Sequence, residues 1–278
     1  KPIVLKYFHF KTHSKPLNYK GGVFSCIHHT YIPKLNSTPM SDIFKKIILL
    51  GRPASGKSET MAYLKHTSPD ERIKRFHVGK ILEIDDFPIL WEWFEQDAIL
   101  EKKLGKPRMM STPDNDFIHL YQWNLLIEKL SFNYNKVLRD NPNLHDDTTV
   151  LIEFSRGSHH GGYKEAFQHL SPEILEDAVL VYINVPYEES LRKNRKRFNP
   201  NKPDSILEHG LPDAKLEELY KIVDWEEVSK GFTTHIDING VKVPFMVFEN
   251  MPSKTDDREL LGPELDRIFT ALWKEYKK

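Results

Sequence analysis

Four short and nearly unbroken apolar runs punctuate the chain: Ile47 to Leu50, Val150 to Ile152, Val179 to Val185 and Val243 to Phe248. A short run of this kind, closed by turn-forming or polar residues, is the pattern of a strand covered on both faces. Stretches with helical spacing separate the runs, beginning with Lys57 to Lys65, and a further strand is expected between Arg72 and Ile84. Strands alternating with helices predict a three-layer α/β/α protein built on a parallel sheet of about five strands with right-handed crossovers.

Two stretches interrupt the alternation. Residues 88–139 carry apolar side chains at helical spacing (Leu90, Trp91, Phe94, then Leu120, Trp123, Leu126, Ile127, Leu130), which predicts a cap of two helices. In this cap Trp91, Trp93 and Phe94 are expected to pack rather than to stack a ligand. Residues from 188 to about 224 open with a basic cluster and pass through a Pro/Asn-rich turn, the profile of a lid. The first 39 residues lack any sustained period and precede the first methionine, Met40. They are expected to be an extension, disordered or non-native, ahead of a folded region spanning 40–278.

Composition narrows the class. A chain of 278 residues, 39% hydrophobic, can bury one large core. Its 40 Lys and Arg are offset by 40 Asp and Glu, so no long-range positive field gathers nucleic acid or an anionic membrane. Neither is expected as a partner, and any anion must be held locally. A lone cysteine, Cys26, leaves no intramolecular disulfide and suits the cytoplasm.

The local device is Gly51-Arg52-Pro53-Ala54-Ser55-Gly56-Lys57-Ser58, a complete G-x-x-x-x-G-K-[ST] placed after an apolar strand and before a helix, with Glu59 next in line. Glycines let the backbone turn its N–H groups inward, and the helix adds the positive end of its dipole. The motif calls for ATP with Mg²⁺. Lys57 is expected to reach the β- and γ-phosphates and Ser58 to offer its hydroxyl to the metal. Glu153, at the end of Val150-Leu151-Ile152, is the expected second metal-organising acid. Asp85 and Asp86 are candidates for binding and activating an acceptor hydroxyl. The alternative is that Asp86 caps the helix starting near Pro88. Arg156 and Arg197 are candidate substrate-binding groups. Arg192 and Arg195, three apart, are expected to share a helix face and neutralise transferring phosphate.

These residues together resemble the nucleoside and nucleotide kinase branch of P-loop proteins, with its adenylate-kinase-like fold. The resemblance runs from Phe44 to the C-terminus through GRPASGKS, VLIEF, VYINVPYEESLRKNRKR and PFMVFEN. It implies that the last strand runs beside the P-loop and that the Arg-rich segment belongs to a lid. Ile84-Asp85-Asp86-Phe87-Pro88 also resembles the D-D-F element of uridine-kinase-like enzymes, which implies an acid facing the acceptor hydroxyl. The expected function is γ-phosphoryl transfer to a small molecule, with nucleosides and nucleotides among the candidates and the oligomeric state open. The alternative is a nucleotide-binding hydrolase or regulator with no acceptor. Asn201-Lys202-Pro203-Asp204 spells the guanine-reading N-K-x-D, but no apolar strand precedes it and no D-x-x-G lies between Ser58 and Asn201; Asp237 to Gly240 fits that pattern too late in the chain. A loop is expected there, and a second, surface loop at His159-His160-Gly161-Gly162.

Overall fold

The computed structural model describes residues 42–197 and 210–278; residues 1–39 and the N-K-x-D segment lie outside them. Six strands form one sheet: β1 (Lys46–Gly51), β2 (Lys80–Asp85), β3 (Thr148–Phe154), β4 (Ala178–Asn184), β5 (His235–Ile238) and β6 (Val241–Glu249), in the order β2-β3-β1-β4-β6-β5. Five are parallel. The sixth, β5, pairs antiparallel with β6. It was not among the expected strands, and it joins β6 through Asn239 and Gly240, both at positive φ (54° and 81°). That Asn-Gly pair is a two-residue hairpin turn, so Asp237 to Gly240 is a strand end and its turn.

Among the described residues, nine α-helices lie between strands and a tenth follows β6: α1 (Lys57–His66), α2 (Pro69–Phe76), α3 (Asp86–Leu104), α4 (Tyr121–Asp140), α5 (Gly162–Gln168), α6 (Pro172–Leu175), α7 (Tyr187–Arg197), α8 (Asp213–Tyr220), α9 (Trp225–Val228) and α10 (Arg258–Tyr276). Strand alternation divides them between two layers. Ile47 and Leu49 of β1, Leu151 of β3 and Val179, Val181 and Ile183 of β4 face a core with Leu64 of α1, Phe76 of α2 and Leu265, Phe269 and Leu272 of α10. Ile48 and Leu50, Ile152 and Phe154, and Leu180 and Tyr182 face the opposite core, with Leu126, Ile127 and Leu130 of α4, Phe167 of α5 and Trp225 of α9. Covering both faces explains why β1, β3 and β4 read as continuous apolar runs. The arrangement is a three-layer α/β/α fold with a mostly parallel sheet. Among the described residues no helix is long and apolar enough to cross a membrane.

The residues 88–139 supply most of α3 and α4. Their aromatic residues pack among themselves, with Phe117 against Phe94 at 5.3 Å and against Trp123 at 5.0 Å between ring centroids. Asp85 caps α3 by accepting from the Phe87 amide at 3.0 Å; the cap is Asp85, one residue before the Asp86 considered from sequence.

Lys46, at the start of β1, carries a pH-dependent stability term. Its side chain is buried under Tyr134, donates to the Glu173 carbonyl at 2.7 Å, and burial pulls its pKa from 10.5 down to about 8. Between those two values the unfolded chain holds a proton that the folded chain lacks, so stability rises with pH from about 8 towards 10. Lys46→Met should abolish that contribution. Thermal melts of both proteins at pH 7.5 and 9.5 should show the variant's advantage at the lower pH shrinking at the higher; a constant difference refutes the assignment.

Candidate functional site

β1 ends in the centre of the sheet, flanked by β3 and β4, and the chain there must reverse into α1 within a few residues. Two glycines make the turn possible. Gly51 has φ 150°, and a Cβ on it would come 2.6 Å from Ser55 Oγ and 2.7 Å from the Ile183 carbonyl. Gly56 has φ 115°, and a Cβ there would meet Thr255 and the Asn250 amide inside 3.0 Å. The loop is therefore packed from outside on both flanks. Asn250, fully buried at the end of β6, donates to the Ser55 carbonyl at 2.8 Å, and Ser190 donates to the Pro53 carbonyl at 2.7 Å. The Arg52 guanidinium ties the loop to the carbonyls of Val185, Tyr220 and Lys221. The Gly51 amide is held by the Tyr163 hydroxyl at 3.1 Å. A loop so fixed presents its amides and the N-terminus of α1 without having to order itself first.

Register brings the acids to the same place. Glu153 lies opposite Leu49 on one side and Asp85 on the other, so the tips of β2 and β3 put both carboxyls beside the loop. Lys57 Nζ donates to the carbonyls of Gly51 and Arg52 and to Ser155 Oγ, and stands 3.8 Å from Glu153 Oε1. Burial pulls the Lys57 pKa down, against the opposing pull of Glu153. Burial likewise pushes Glu153 up, against Lys57. The Asp85 carboxyl is pushed to about 8, first by burial and then by the negative charges of Glu153 and Asp86.

These residues line one cleft of about 410 Å³. Pro53, Ala54, Lys57, Ser58, Glu59, Asp85, Asp86, Glu153 and Arg197, all marked from sequence, border it. Gly51, Arg52, Ser55 and Gly56 shape the loop without lining the space. The remaining three lie elsewhere. Arg156 is 1% exposed and sits behind the cleft, paired to Asp86 at 2.6 Å and donating to the Ser155 and Trp123 carbonyls. Arg192 turns to Glu189 and Asp256, and Arg195 to Asp213. The face of α7 that meets the cleft carries Lys193, Asn194 and Arg197 instead. Lys193 and Arg197 are four apart, the other spacing that aligns side chains on a helix; three-apart spacing selected the wrong pair for this cleft. Phe87, Leu90, Trp123, Leu211 and Tyr220, with the small residues Ala62 and Ser155, complete the lining, and none of them is marked for the site by the sequence. His160, expected in a surface loop, is buried against Trp123 and Tyr220, where burial and Arg156 hold its pKa well below the usual range.

A bound polyanion with a divalent cation fits this donor set. Ser55 Oγ and Glu153 Oε2 are buried without a hydrogen-bond partner among the described residues, and such orphans call for a ligand or water. No three Asp, Glu, His or Cys side chains among the described residues gather as a self-sufficient metal cage. Mg²⁺ in general keeps few protein ligands and takes the rest of its shell from phosphate oxygens and water.

Sheet order and the fixed loop between β1 and α1 together define a P-loop kinase-like fold. No protein-family model matches the chain, and no curated protein matches its sequence. Among solved structures, a protein designated APE1195 is similar over 82% of this chain and 98% of its own, at 12% identity and a TM-score of 0.37. Shikimate kinase from Acinetobacter baumannii, solved with shikimate, is similar over 82% of this chain and 95% of its own, at 15% identity and a TM-score of 0.40. Likenesses this distant leave function to the chain's own residues.

Proposed function

We propose that the protein is an ATP-dependent small-molecule kinase that transfers the γ-phosphoryl group to a hydroxyl, acting in the cytoplasm. The observation that carries this reading is the single cleft joining Lys57 and Ser58 to Asp85. A phosphate-binding loop serves a hydrolase as well as a kinase; a strand-end carboxyl beside it, poised near neutrality and walled by apolar side chains, gives an acceptor somewhere to sit.

In this reading the loop amides and Lys57 hold the β- and γ-phosphates, and Arg197 adds charge from α7. Ser58 and Glu153 would hold Mg²⁺, which supplies charge neutralisation at the phosphate oxygens. Asp85 accepts the proton of the acceptor hydroxyl as its oxygen bonds to the γ-phosphorus. The bond from that phosphorus to the β,γ-bridging oxygen breaks, and ADP departs with the electron pair. Arg156 holds Asp86, and Asp86 raises the basicity of Asp85 by its negative charge. Arg192 and Arg195 have no part in the transfer.

Two measurements test the proposal. ATP consumption should depend on an added acceptor; consumption that never does so favours a hydrolase. Asp85→Asn, which keeps a capping side chain for α3, should lower kcat by about 10²–10⁴-fold and remove the rise of kcat/KM towards pH 8. The same variant carries a stability signature. With Asp85 at 3.8 when unfolded and about 8 when folded, the folded chain holds the extra proton between those values, so stability falls as pH rises through them. Asparagine should therefore gain on the wild type in melting temperature between pH 5 and pH 8. An unchanged difference would mean that Asp85 ionises freely.

A further inference from the structure

We infer that the Ser155 hydroxyl donates a hydrogen bond to the γ-phosphoryl group, oriented and polarised for that role by Lys57. This rests on the nucleotide-binding part of the reading above and adds a residue that the sequence does not mark. Ser155 stands two positions after Glu153, where the chain leaves β3, and it lines the cleft together with Lys57, Ser58 and Glu153.

An ammonium carries three N–H donors and no acceptor. Those of Lys57 have three partners in the protein: the Gly51 carbonyl at 3.2 Å, the Arg52 carbonyl at 3.0 Å and Ser155 Oγ at 2.8 Å. Of these oxygens only that of Ser155 belongs to a residue bordering the cleft, and only it carries a proton. A hydroxyl has two lone pairs and one hydrogen, so a lone pair turned to Lys57 directs the hydrogen away from the ammonium. Among the described residues that hydrogen has no acceptor. Glu153 Oε2, on the same strand end, is likewise buried without a partner, so the two groups do not satisfy each other.

One ligand answers both. A metal-bound phosphoryl group presents an oxygen to the hydroxyl and a cation to the carboxylate. Water also satisfies such groups, and the difference lies with Lys57. A hydroxyl that accepts from a cation is polarised into a stronger donor, and its strongest hydrogen bond is made to an anionic oxygen. In the kinase reading Lys57 meets that same anion, so ammonium and hydroxyl grip one phosphoryl group from adjacent points. No proton moves in this contact: Ser155 keeps its hydrogen while the phosphoryl group passes from ADP to its acceptor.

Full-length protein with Mg²⁺ is titrated calorimetrically with ADP, and with ADP plus beryllium fluoride, which occupies the γ-phosphoryl position. The wild type should bind the fluoride complex more tightly than ADP. Ser155→Ala should reduce that ratio of affinities by at least about tenfold, the cost of one charge-assisted hydrogen bond, and Ser155→Thr, which keeps a hydroxyl, should restore most of it. A serine that only seats Lys57 gives another pattern. Lys57 also meets the β-phosphate, so Ser155→Ala would then weaken ADP and the fluoride complex alike, leaving the ratio as it was. An unchanged ratio in Ser155→Ala, or a loss that threonine does nothing to restore, overturns the inference. Failure of the nucleotide reading looks different: ADP itself would not bind, or would bind Lys57→Ala as tightly as the wild type, and the inference would fall with it. A hydrolase would show the same Ser155 ratio and is told apart by ATP consumption that needs no acceptor.

Discussion

Lys57→Ala is expected to lower phosphoryl transfer by about 10²–10³-fold, the cost of removing one preorganised donor from developing charge, while raising the melting temperature of the nucleotide-free protein. The opposite signs come from one fact. The Lys57 ammonium is buried, and burial works against its charge, with Glu153 only partly compensating at 3.8 Å. The carbonyls of Gly51 and Arg52 and the Ser155 hydroxyl accept its protons, which satisfies the donors without returning the full hydration lost. A charge kept in such a place costs stability and is repaid when phosphate arrives, an exchange typical of binding sites. Differential scanning fluorimetry with and without Mg²⁺-ATP checks both halves. The wild type should gain stability on adding nucleotide and the variant should not, while the variant starts higher. A variant that starts lower and retains the nucleotide shift would remove Lys57 from the site.

The parts of this architecture legible in the sequence are those fixed by near neighbours. β1, β3 and β4 lie between other strands and under helices on both faces, so their runs are uniformly apolar. The glycines of the loop follow from backbone geometry within eight residues. β2 is harder to see because it forms the sheet edge: Lys80 and Glu83 are exposed and only Ile84 is buried, leaving no continuous run. β5 is four residues long and alternates, with Ile236 and Ile238 inward and Asp237 outward. Its strongest mark was the Asn239-Gly240 turn, which a search for nucleotide-binding motifs reads as the end of a D-x-x-G.

Side-chain direction is the layer that sequence leaves open. On α7, Arg192, Lys193, Arg195 and Arg197 spread around more than one face, and which face meets the loop is set by Ser190 docking on Pro53 and Lys193 on Thr255. The partners that decide this lie 137 and 62 positions away in the chain. Carboxylates close by, Glu189 and Asp256 for Arg192 and Asp213 for Arg195, then take up the arginines on the other faces. Trp123 illustrates the same limit from the apolar side. Helical spacing marks it as core, and most of it is core, yet one surface remains for the cleft.

Arg156 is the residue whose meaning changes most, and its removal should be the most damaging to the fold. Arg156→Ala is expected to destabilise the protein by about 3–5 kcal/mol, the cost of leaving a buried carboxylate unpaired, and so to lower Tm by roughly 10 °C. The guanidinium joins three elements at one point: Asp86 at the start of α3 by a 2.6 Å ion pair, the Trp123 carbonyl of α4 at 3.0 Å, and the chain leaving β3 through the Ser155 carbonyl. It also lies over the Trp123 and Phe154 rings, at 5.3 and 5.5 Å. Lysine cannot reproduce this, since one ammonium lacks the planar fork that reaches both carbonyls and the carboxylate; Arg156→Lys should fall between alanine and wild type. The decisive comparison is the double variant Asp86→Asn with Arg156→Met, in which neither partner is left charged and the volume is kept. If the damage comes from an uncompensated Asp86, the double variant recovers most of the loss and the coupling in a thermodynamic cycle exceeds about 1 kcal/mol. If Arg156 acts chiefly by bulk over Trp123, Arg156→Met alone recovers as much as the double variant, and the ion pair is not what fastens α3 and α4 to the sheet.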